Sequence, residues 1–337
     1  MPSKPRAAVV GAGILGLSTA RALREDGFDV VVHEQHQVGT RLGGSPGGSR
    51  IYRTSYGDAG MVRLARRAVE EWRRLDRSLL LENGLFETGL AAAGCADALQ
   101  EAGEPFEWLE PGEAQRRFPE ARFRSPVLWT REAGCVRADL ALRTLAGMVE
   151  VREQRRIDDP TELEADVVCV CAGPWLGRLA ELPLQVQIEQ VGYFAGAPDD
   201  RPSVIDHGDG GHAWYGVVTP GVGYKVAQDA GRDEEFDPDR DDRPVDAAVT
   251  ARLLDHVSTA FPGLVAEPAR VDACLYTMTS DRDFILDRMD GIVVLGGDSG
   301  NAFKFGPLLG RLAADLAQGR ELPAECARFA AARFARA

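Results

Sequence analysis

The chain has 337 residues, 45% hydrophobic and 27% charged, the composition of an ordinary globular protein of roughly two domains. Its 52 acidic and 39 basic side chains leave a net charge of −13, which argues against nucleic acid and anionic membranes as partners, since both select a basic face. No apolar run approaches the ~18 residues of a membrane span, and only four apolar residues precede Gly11, too few for a signal-peptide core. The six cysteines (95, 135, 169, 171, 274 and 326) are scattered without a paired framework, so free thiols in a reducing, cytoplasmic setting are expected. Of the 39 basic residues only three are lysines: Lys4, Lys225 and Lys304. Genomic codon bias explains the total, but a lysine kept deep in an arginine-dominated chain is a site candidate, because the two cations differ in shape, hydration and ease of pKa shift.

The first element predicted is a buried strand at 7–10, followed by the turn Gly11-Ala12-Gly13-Ile14-Leu15-Gly16. A helix at 17–26 ends at Gly27, and a second parallel strand runs over 28–34. A glycine-rich loop leads to an Arg/Glu-rich helix at about 58–77, read as a solvated face. Residues 85–134 read as short strands and turns, 139–149 as helix, and 165–172 as an apolar parallel-type strand. Alternation over 183–228 predicts antiparallel strands at 184–188, 191–195, 213–218 and 224–227. Residues 229–246, dense in Asp, Glu and Arg, read as a surface loop, and a helix follows at 247–260. A last buried strand at 292–295 leads through Gly296-Gly297-Asp298-Ser299-Gly300 to a helix at 307–318.

The GxGxxG turn follows a strand, opens a helix, and has Glu34 at the end of the second strand, 23 residues after Gly11. That is the full context of a dinucleotide site: Gly11 for the tight turn, Gly13 for backbone approach to a pyrophosphate, Gly16 for helix packing, and Glu34 for the ribose hydroxyls. It does not separate FAD from NAD. The late turn carrying Gly297 and Gly300 adds backbone N–H groups that could hold an anion, which suits a reduced flavin and not a nicotinamide.

At this point the residues resemble the monomeric sarcosine oxidase family of FAD-dependent amine oxidases, which includes N-methyltryptophan oxidase and pipecolate oxidase. The resemblance covers nearly the whole chain. It rests on Val9 through Ser18, Ser49-Arg50-Ile51-Tyr52-Arg53, Ala172-Gly173-Pro174-Trp175, Gln190-Val191-Gly192-Tyr193-Phe194, Tyr215-Gly216, Gly223-Tyr224-Lys225, Cys274-Leu275-Tyr276-Thr277 and Phe303-Lys304-Phe305. It implies covalent FAD through Cys274, oxygen activation by Lys225, and a substrate carboxylate gripped by Arg53, with a bidentate fork, and by Lys304. Arg50 is implied to pack beside the flavin, and Tyr215 and Tyr276 to line the substrate pocket. Ser49, Ala172, Gly173 and Trp175 complete the cofactor contacts it implies. Three departures stand out. Ser299-Gly300-Asn301-Ala302 stands where the family often has Ser-Gly-His-Gly, Pro46-Gly47-Gly48-Ser49 brings no histidine just before the arginine stretch, and Gln228-Asp229 brings none soon after Lys225. The pocket is therefore expected to lack the family's imidazoles.

Other features read as structural. Cys169 and Cys171 share a strand face, His33 and His36 flank Glu34, and His207 and His212 bracket a glycine-rich loop without a convincing third zinc ligand. No metal is expected. The expected architecture is α/β. A discontinuous FAD-binding Rossmann-like domain (1–84, 135–182 and 271–337) carries an inserted antiparallel-sheet substrate domain (85–134 and 183–270). The expected activity is oxidation of a secondary or cyclic amine bearing a carboxylate, with O2 as acceptor and hydrogen peroxide as product. The alternative is a flavin dehydrogenase or biosynthetic tailoring oxidase. The partners expected are a small-molecule amine and molecular oxygen, with the protein working as a monomer.

Overall fold

The computed structural model describes residues 3–208, 212–231, 236–240 and 242–334. Four consecutive buried apolar side chains make β1 (Arg6–Val10) a central strand, which α1 (Ile14–Glu25) connects to its parallel neighbour β2 (Asp29–His33). The helix starts at Ile14, ahead of the expected 17, because Gly16 belongs to its first turn. Gly27, at φ +94°, ends the helix with its N–H on the Arg24 carbonyl at 3.0 Å.

Then come β3 (Arg50–Tyr52), α2 (Ala59–Asp76), β4 (Leu80–Leu81), β5 (Leu85–Thr88), α3 (Ala91–Ala102), β6 (Glu107–Leu109), α4 (Pro111–Arg117), β7 (Val127–Thr130) and β8 (Gly134–Val136). They lead to α5 (Ala138–Ala146), β9 (Glu150–Arg152), β10 (Val167–Val170), α6 (Leu176–Leu179), β11 (Gln185–Phe194), β12 (Ser203–Asp206), β13 (Trp214–Thr219) and β14 (Gly223–Gln228). The chain finishes with α7 (Ala247–Ala260), β15 (Pro268–Met278), β16 (Ile285–Met289), β17 (Ile292–Gly296) and α8 (Ala302–Ala317).

A six-stranded sheet has the order β16-β17-β10-β1-β2-β9, parallel except for β16. Helices α1 and α8 cover one face. They meet closely through small residues: a Cβ on Gly306 would lie 2.5 Å from the Ile14 side chain, and one on Gly310 would collide with the Ser18 backbone. The second sheet has eight strands in the order β15-β11-β14-β13-β12-β5-β7-β6, and β3, β8 and β4 form a small third sheet. Pairing in the eight-stranded sheet is antiparallel apart from β5 with β12, so the expected antiparallel sheet is in fact mixed.

The structure corrects several local expectations. Residues 85–134 contain two helices besides strands. In α3, Ala92, Cys95, Ala96 and Leu99 are buried at helical spacing, but residues this small give a weak periodic signal. The two strands expected over 184–195 are one, β11. Its adjacent polar residues Glu189 and Gln190 are both buried, and the side-chain N–H of Gln190 bonds the Asp246 carbonyl and Thr250. The boundary expected before 271 falls inside β15, which pairs with β11 along its whole length and so belongs to the eight-stranded sheet. Helix α8 begins at Ala302 and holds Pro307 in its interior; burial of Phe303, Phe305, Leu308 and Leu309 outweighs the single missing N–H. The surface loop expected at 229–246 has residues 232–235 and 241 outside the described set.

Candidate active site

The first βα turn opens onto a cavity lined by Gly11, Gly13, Glu34, Arg50, Trp175 and Tyr276. Gly11, at φ +100°, brings its backbone so close to the Cys171 carbonyl that a Cβ would lie 2.5 Å from its oxygen, and a Cβ on Gly16 would strike the Gly11 carbonyl. Gly13 has the Ser45 hydroxyl where a side chain would go, and that hydroxyl accepts the Ile14 N–H at 3.0 Å. Glu34 accepts N–H bonds from Ala12 (2.8 Å) and His36 (2.9 Å), which fixes its carboxylate at the cavity edge. Of the expected cofactor residues, Gly11, Gly13, Glu34, Arg50, Ala172, Gly173, Trp175 and Gly300 line the cavity; Gly16, Ser49, Cys274, Gly297 and Lys304 stand behind or beside it. The cavity reaches from Glu34 to Tyr276 and Phe303, joining the first turn to the late one, and so suits an extended dinucleotide.

The late turn differs from expectation in one respect. The amides of Ser299, Gly300 and Asn301 are engaged internally, on the Thr277 carbonyl (3.0 Å), the Asp298 carboxylate (3.0 Å) and the Asp298 carbonyl (2.6 Å). Positive potential there comes from the start of α8 rather than from these three N–H groups.

The register of the eight-stranded sheet assembles the other half of the site. Directly paired residues share a face. Cys274 stands opposite Glu189, Tyr193 opposite Lys225, Ala227 opposite Tyr215, Tyr215 opposite Ile205, and Ile205 opposite Glu87. Alternation along β11, β14 and β15 then puts Cys274, Tyr276, Glu189, Lys225, Tyr215 and Glu87 on one face, although they come from five strands. The hydroxyls of Tyr215 and Tyr276 meet at 3.2 Å.

Lys225 is 4% exposed and donates to the Ser49 carbonyl at 2.6 Å. Burial, and then the Arg50 charge, lower its pKa to about 7. Ser49 is fixed in turn by a 2.6 Å bond between its hydroxyl and that of Thr219. Arg50 donates to the carbonyls of Gly44, Ser45, Pro46 and Ser49 and lies over the Phe303 ring at 5.4 Å, so it shapes the cavity wall. Lys304, in the first turn of α8, donates to Asn301 Oδ1 at 2.9 Å, and burial together with the Arg53 charge holds its pKa well below the ordinary lysine range.

Arg53 has a partner that sequence reasoning missed. Its Nη1 donates to Glu87 Oε1 at 2.8 Å, and its guanidinium lies over the Tyr56 ring at 4.3 Å. Part of the expected bidentate fork is therefore already engaged. Glu87 is fully buried and also meets His207 Nε2 at 3.2 Å. Burial pushes its pKa up, but the His207 hydrogen bond and the Arg53 charge outweigh that and leave it lowered. An imidazole thus does stand beside the clamp, on a residue the sequence reading set aside; the loop after it, 209–211, lies outside the described residues. Glu87, Cys95 and His207 each bring one potential ligand atom within 4.8 Å of the others, but Arg53 already occupies Glu87 Oε1, and burial pushes the Cys95 thiol up to about 12, so the group is an ion-pair cluster. A hint for Glu87 existed: it is an acid within the otherwise apolar Leu85-Phe86-Glu87 strand.

Glu189 was also missed. It is 4% exposed, accepts the N–H groups of Gln190 and Gly231 at 3.2 Å, and is pushed up to about 8 by burial and then by the Asp229 charge. Among the six cysteines only Cys274 is partly exposed, and burial raises the pKa of the other five.

Comparison with known proteins agrees with this geometry. Residues 6–316 match the family model described as FAD dependent oxidoreductase. The chain is 30% identical to peroxisomal sarcosine oxidase of Mus musculus, covering 97% of this chain and 96% of that protein. It is 29% identical to monomeric sarcosine oxidase of Streptomyces avermitilis, covering 92% of each. A mutant of NikD, an unusual amino acid oxidase essential for nikkomycin biosynthesis, superposes with a TM-score of 0.83 at 22% identity, covering 97% of both chains.

Proposed function

The chain belongs to the FAD dependent oxidoreductase family, and we propose that within it this protein oxidises a secondary or cyclic amine that carries a carboxylate. The observation that carries this reading is a pair of largely enclosed cations: Arg53, paired through Nη1 with the buried Glu87, and Lys304, which has no such carboxylate partner among the described residues and whose pKa burial and then the Arg53 charge hold well below the ordinary lysine range. A substrate carboxylate would supply the missing negative charge. Arg53 would offer it the donors not held by Glu87, and Lys304 would offer its ammonium. Tyr215 and Tyr276, joined at their hydroxyls, would wall the amine in.

FAD, held along the cavity by Gly11, Gly13, Glu34 and Gly300, would supply a hydride acceptor and a route for electrons to O2, with hydrogen peroxide as the product. Lys225 would contribute a fixed positive charge where oxygen gains its first electron, held in place by the Ser49 carbonyl in a site of low dielectric. Cys274, the partly exposed thiol, would form the covalent link to the cofactor. Free, unpaired cysteines support a reducing, cytoplasmic setting. Among the described residues no helix is long and apolar enough to cross a membrane.

The experiment is anaerobic mixing with a panel of N-methyl and cyclic amino acids, each beside its decarboxylated analogue, while the flavin's visible absorbance is followed. Amino acids should bleach the flavin and the analogues should not, and admitting oxygen should restore the colour with release of peroxide. Analogues that bleach as fast as the acids would overturn the carboxylate assignment. Acid precipitation gives a separate readout of attachment: colour should stay in the pellet and be lost from it in Cys274→Ser.

A further inference from the structure

We propose that Asp239 is a positioning residue for the cofactor, bracing the wall of the FAD cavity through Trp175, Arg156 and Arg178. The inference rests on the FAD binding that the family fixes. It concerns a stretch of chain that composition marks only as acidic surface.

Three side chains of the cavity wall converge on one carboxylate. Trp175 Nε1 donates to Asp239 Oδ1 at 2.7 Å, and Arg178 Nη1 and Arg156 Nη1 donate to Oδ2 at 2.8 and 3.3 Å. All three donors line the cavity. They arrive from different parts of the six-stranded half: Arg156 from the loop after β9, Trp175 from the turn after β10, and Arg178 from α6. The shared acceptor joins Arg156 to Trp175 and Arg178, which already lie three residues apart at the start of α6. Asp237 reinforces the node, accepting Arg178 Nη2 at 2.7 Å and the Asp239 N–H at 2.9 Å. Burial pushes the Asp239 carboxyl up, but its hydrogen bonds to Trp175 and Arg156 and the nearby arginine charges outweigh that and keep it low.

In the same segment, Arg243 holds a second part of the cavity lining. Arg243 donates to the carbonyls of Arg41 and Leu42, the latter at 2.5 Å, between the cavity-lining residues Thr40 and Gly43. Arg243 also lies over the Phe236 ring at 5.8 Å, which ties the two ends of the segment together. Two described residues of the stretch, Asp239 and Arg243, therefore each hold a part of the cavity lining, one through a carboxylate and the other through a guanidinium. An indole N–H bonded to a carboxylate favours one ring orientation, so Asp239 holds the Trp175 ring in place at the cavity wall.

The contacts at this node are partly exposed, with Asp239 at 27% and Arg178 at 47%, so salt should weaken them. That gives a test which a merely structural loop would not pass. Cys274→Ser protein, in which FAD can dissociate, is diluted and released FAD is followed by its fluorescence. Asp239→Ala should release FAD roughly 10-fold faster, the scale of losing a charge-assisted hydrogen-bond node, and Asp239→Asn, which keeps the shape, by a smaller factor. Raising NaCl from about 0.05 to 0.5 M should accelerate release from the Asp239 protein and have little further effect on the Asn variant. Trp175→Phe keeps a ring and removes the N–H; it should also release faster, and adding Asp239→Asn to it should do less than in the Trp175 background. Should the alanine variant not fold, the Asn and Phe variants carry the test. Release rates within about twofold of the parent, or an unchanged salt slope in Asp239→Asn, would overturn the brace. Absence of FAD from the protein that retains Cys274 would instead overturn the cofactor premise.

Discussion

Among the described residues Lys225 has one hydrogen-bond acceptor, the Ser49 carbonyl, and its pKa is lowered to about 7 by burial and then by Arg50. Its charge is therefore present below pH 7 and lost as pH rises through that value. Lys225→Met should slow reoxidation of photoreduced enzyme by ~10²–10³-fold, the scale for losing one preorganised electrostatic contact, while anaerobic reduction by substrate changes less. Stopped-flow reoxidation should fall with rising pH in the Lys225 enzyme and be flat in the variant; equal rates in the two would remove Lys225 from the oxygen step. Arg53 behaves differently because it is coupled to Glu87. Truncating Arg53 strips a fully buried carboxylate of its guanidinium partner and leaves it beside His207. Arg53→Ala should thus lose about 3–5 kcal/mol of stability in denaturant titration as well as substrate affinity. Adding Glu87→Gln should restore part of the stability and none of the affinity. A single variant as stable as the parent would mean that the ion pair contributes nothing.

At the scale of the element, β11 carries an acid where a strand of this sheet should be apolar or amide. Glu189 has its pKa raised from the ordinary 4.5 to about 8 by burial first and then by Asp229. The folded state therefore holds the proton more tightly than the unfolded chain. The stability this contributes is complete below about pH 4.5 and is lost as pH rises through about 8. Glu189→Gln keeps the shape and removes the titration, so melting temperature should fall less steeply between those limits than in the parent. Identical slopes would mean that Glu189 does not titrate in that window. Helix α8 makes a related point about composition: Gly306 and Gly310 stand where α1 passes, and Pro307 lies between them. Read alone these residues suggest a late helix start. Packed on α1 they are what lets the two helices approach.

Across the whole molecule, the cavity is walled by the first βα turn, the loop at 39–46, the turn after β10, Tyr276 of the eight-stranded sheet and the start of α8. A ligand that fills it touches both large sheets, so its binding free energy adds to the stability of both together. Cys274→Ser protein stripped of FAD should melt lower, and FAD at 100 times its Kd should restore about 2.7 kcal/mol. Calorimetry showing only one half of the protein responding would contradict a shared cavity wall. The parts legible in sequence were those coded by neighbours along the chain. The GxGxxG turn, its flanking strand and helix, and the acid at the end of the second strand are a local pattern, and the structure places them as the pattern requires. Likewise the α7 boundaries, 247–260, follow from the Asp246 cap and the apolar period after it. The rarity of lysine marked Lys225 and Lys304 because an arginine-dominated composition leaves exceptions visible.

What the sequence could not carry are pairings between distant strands and side chains. Glu87 and Arg53 lie 34 residues apart, and their ion pair depends on β5 lying parallel to β12 and on the His207 that β12 delivers. Asp239 reads as one acid among many in a charged stretch, and only the fold brings it to Trp175, 64 residues earlier. The sequence by itself determined the dinucleotide fingerprint, the family and the identity of the chemically able side chains, because each is a matter of local pattern or residue type. Tertiary structure alone decided which of those side chains face one another. A pairing register shifted by one residue turns every side chain of a strand to the opposite face; a strand's own alternation marks which face is buried, but not which residue of which distant strand stands opposite.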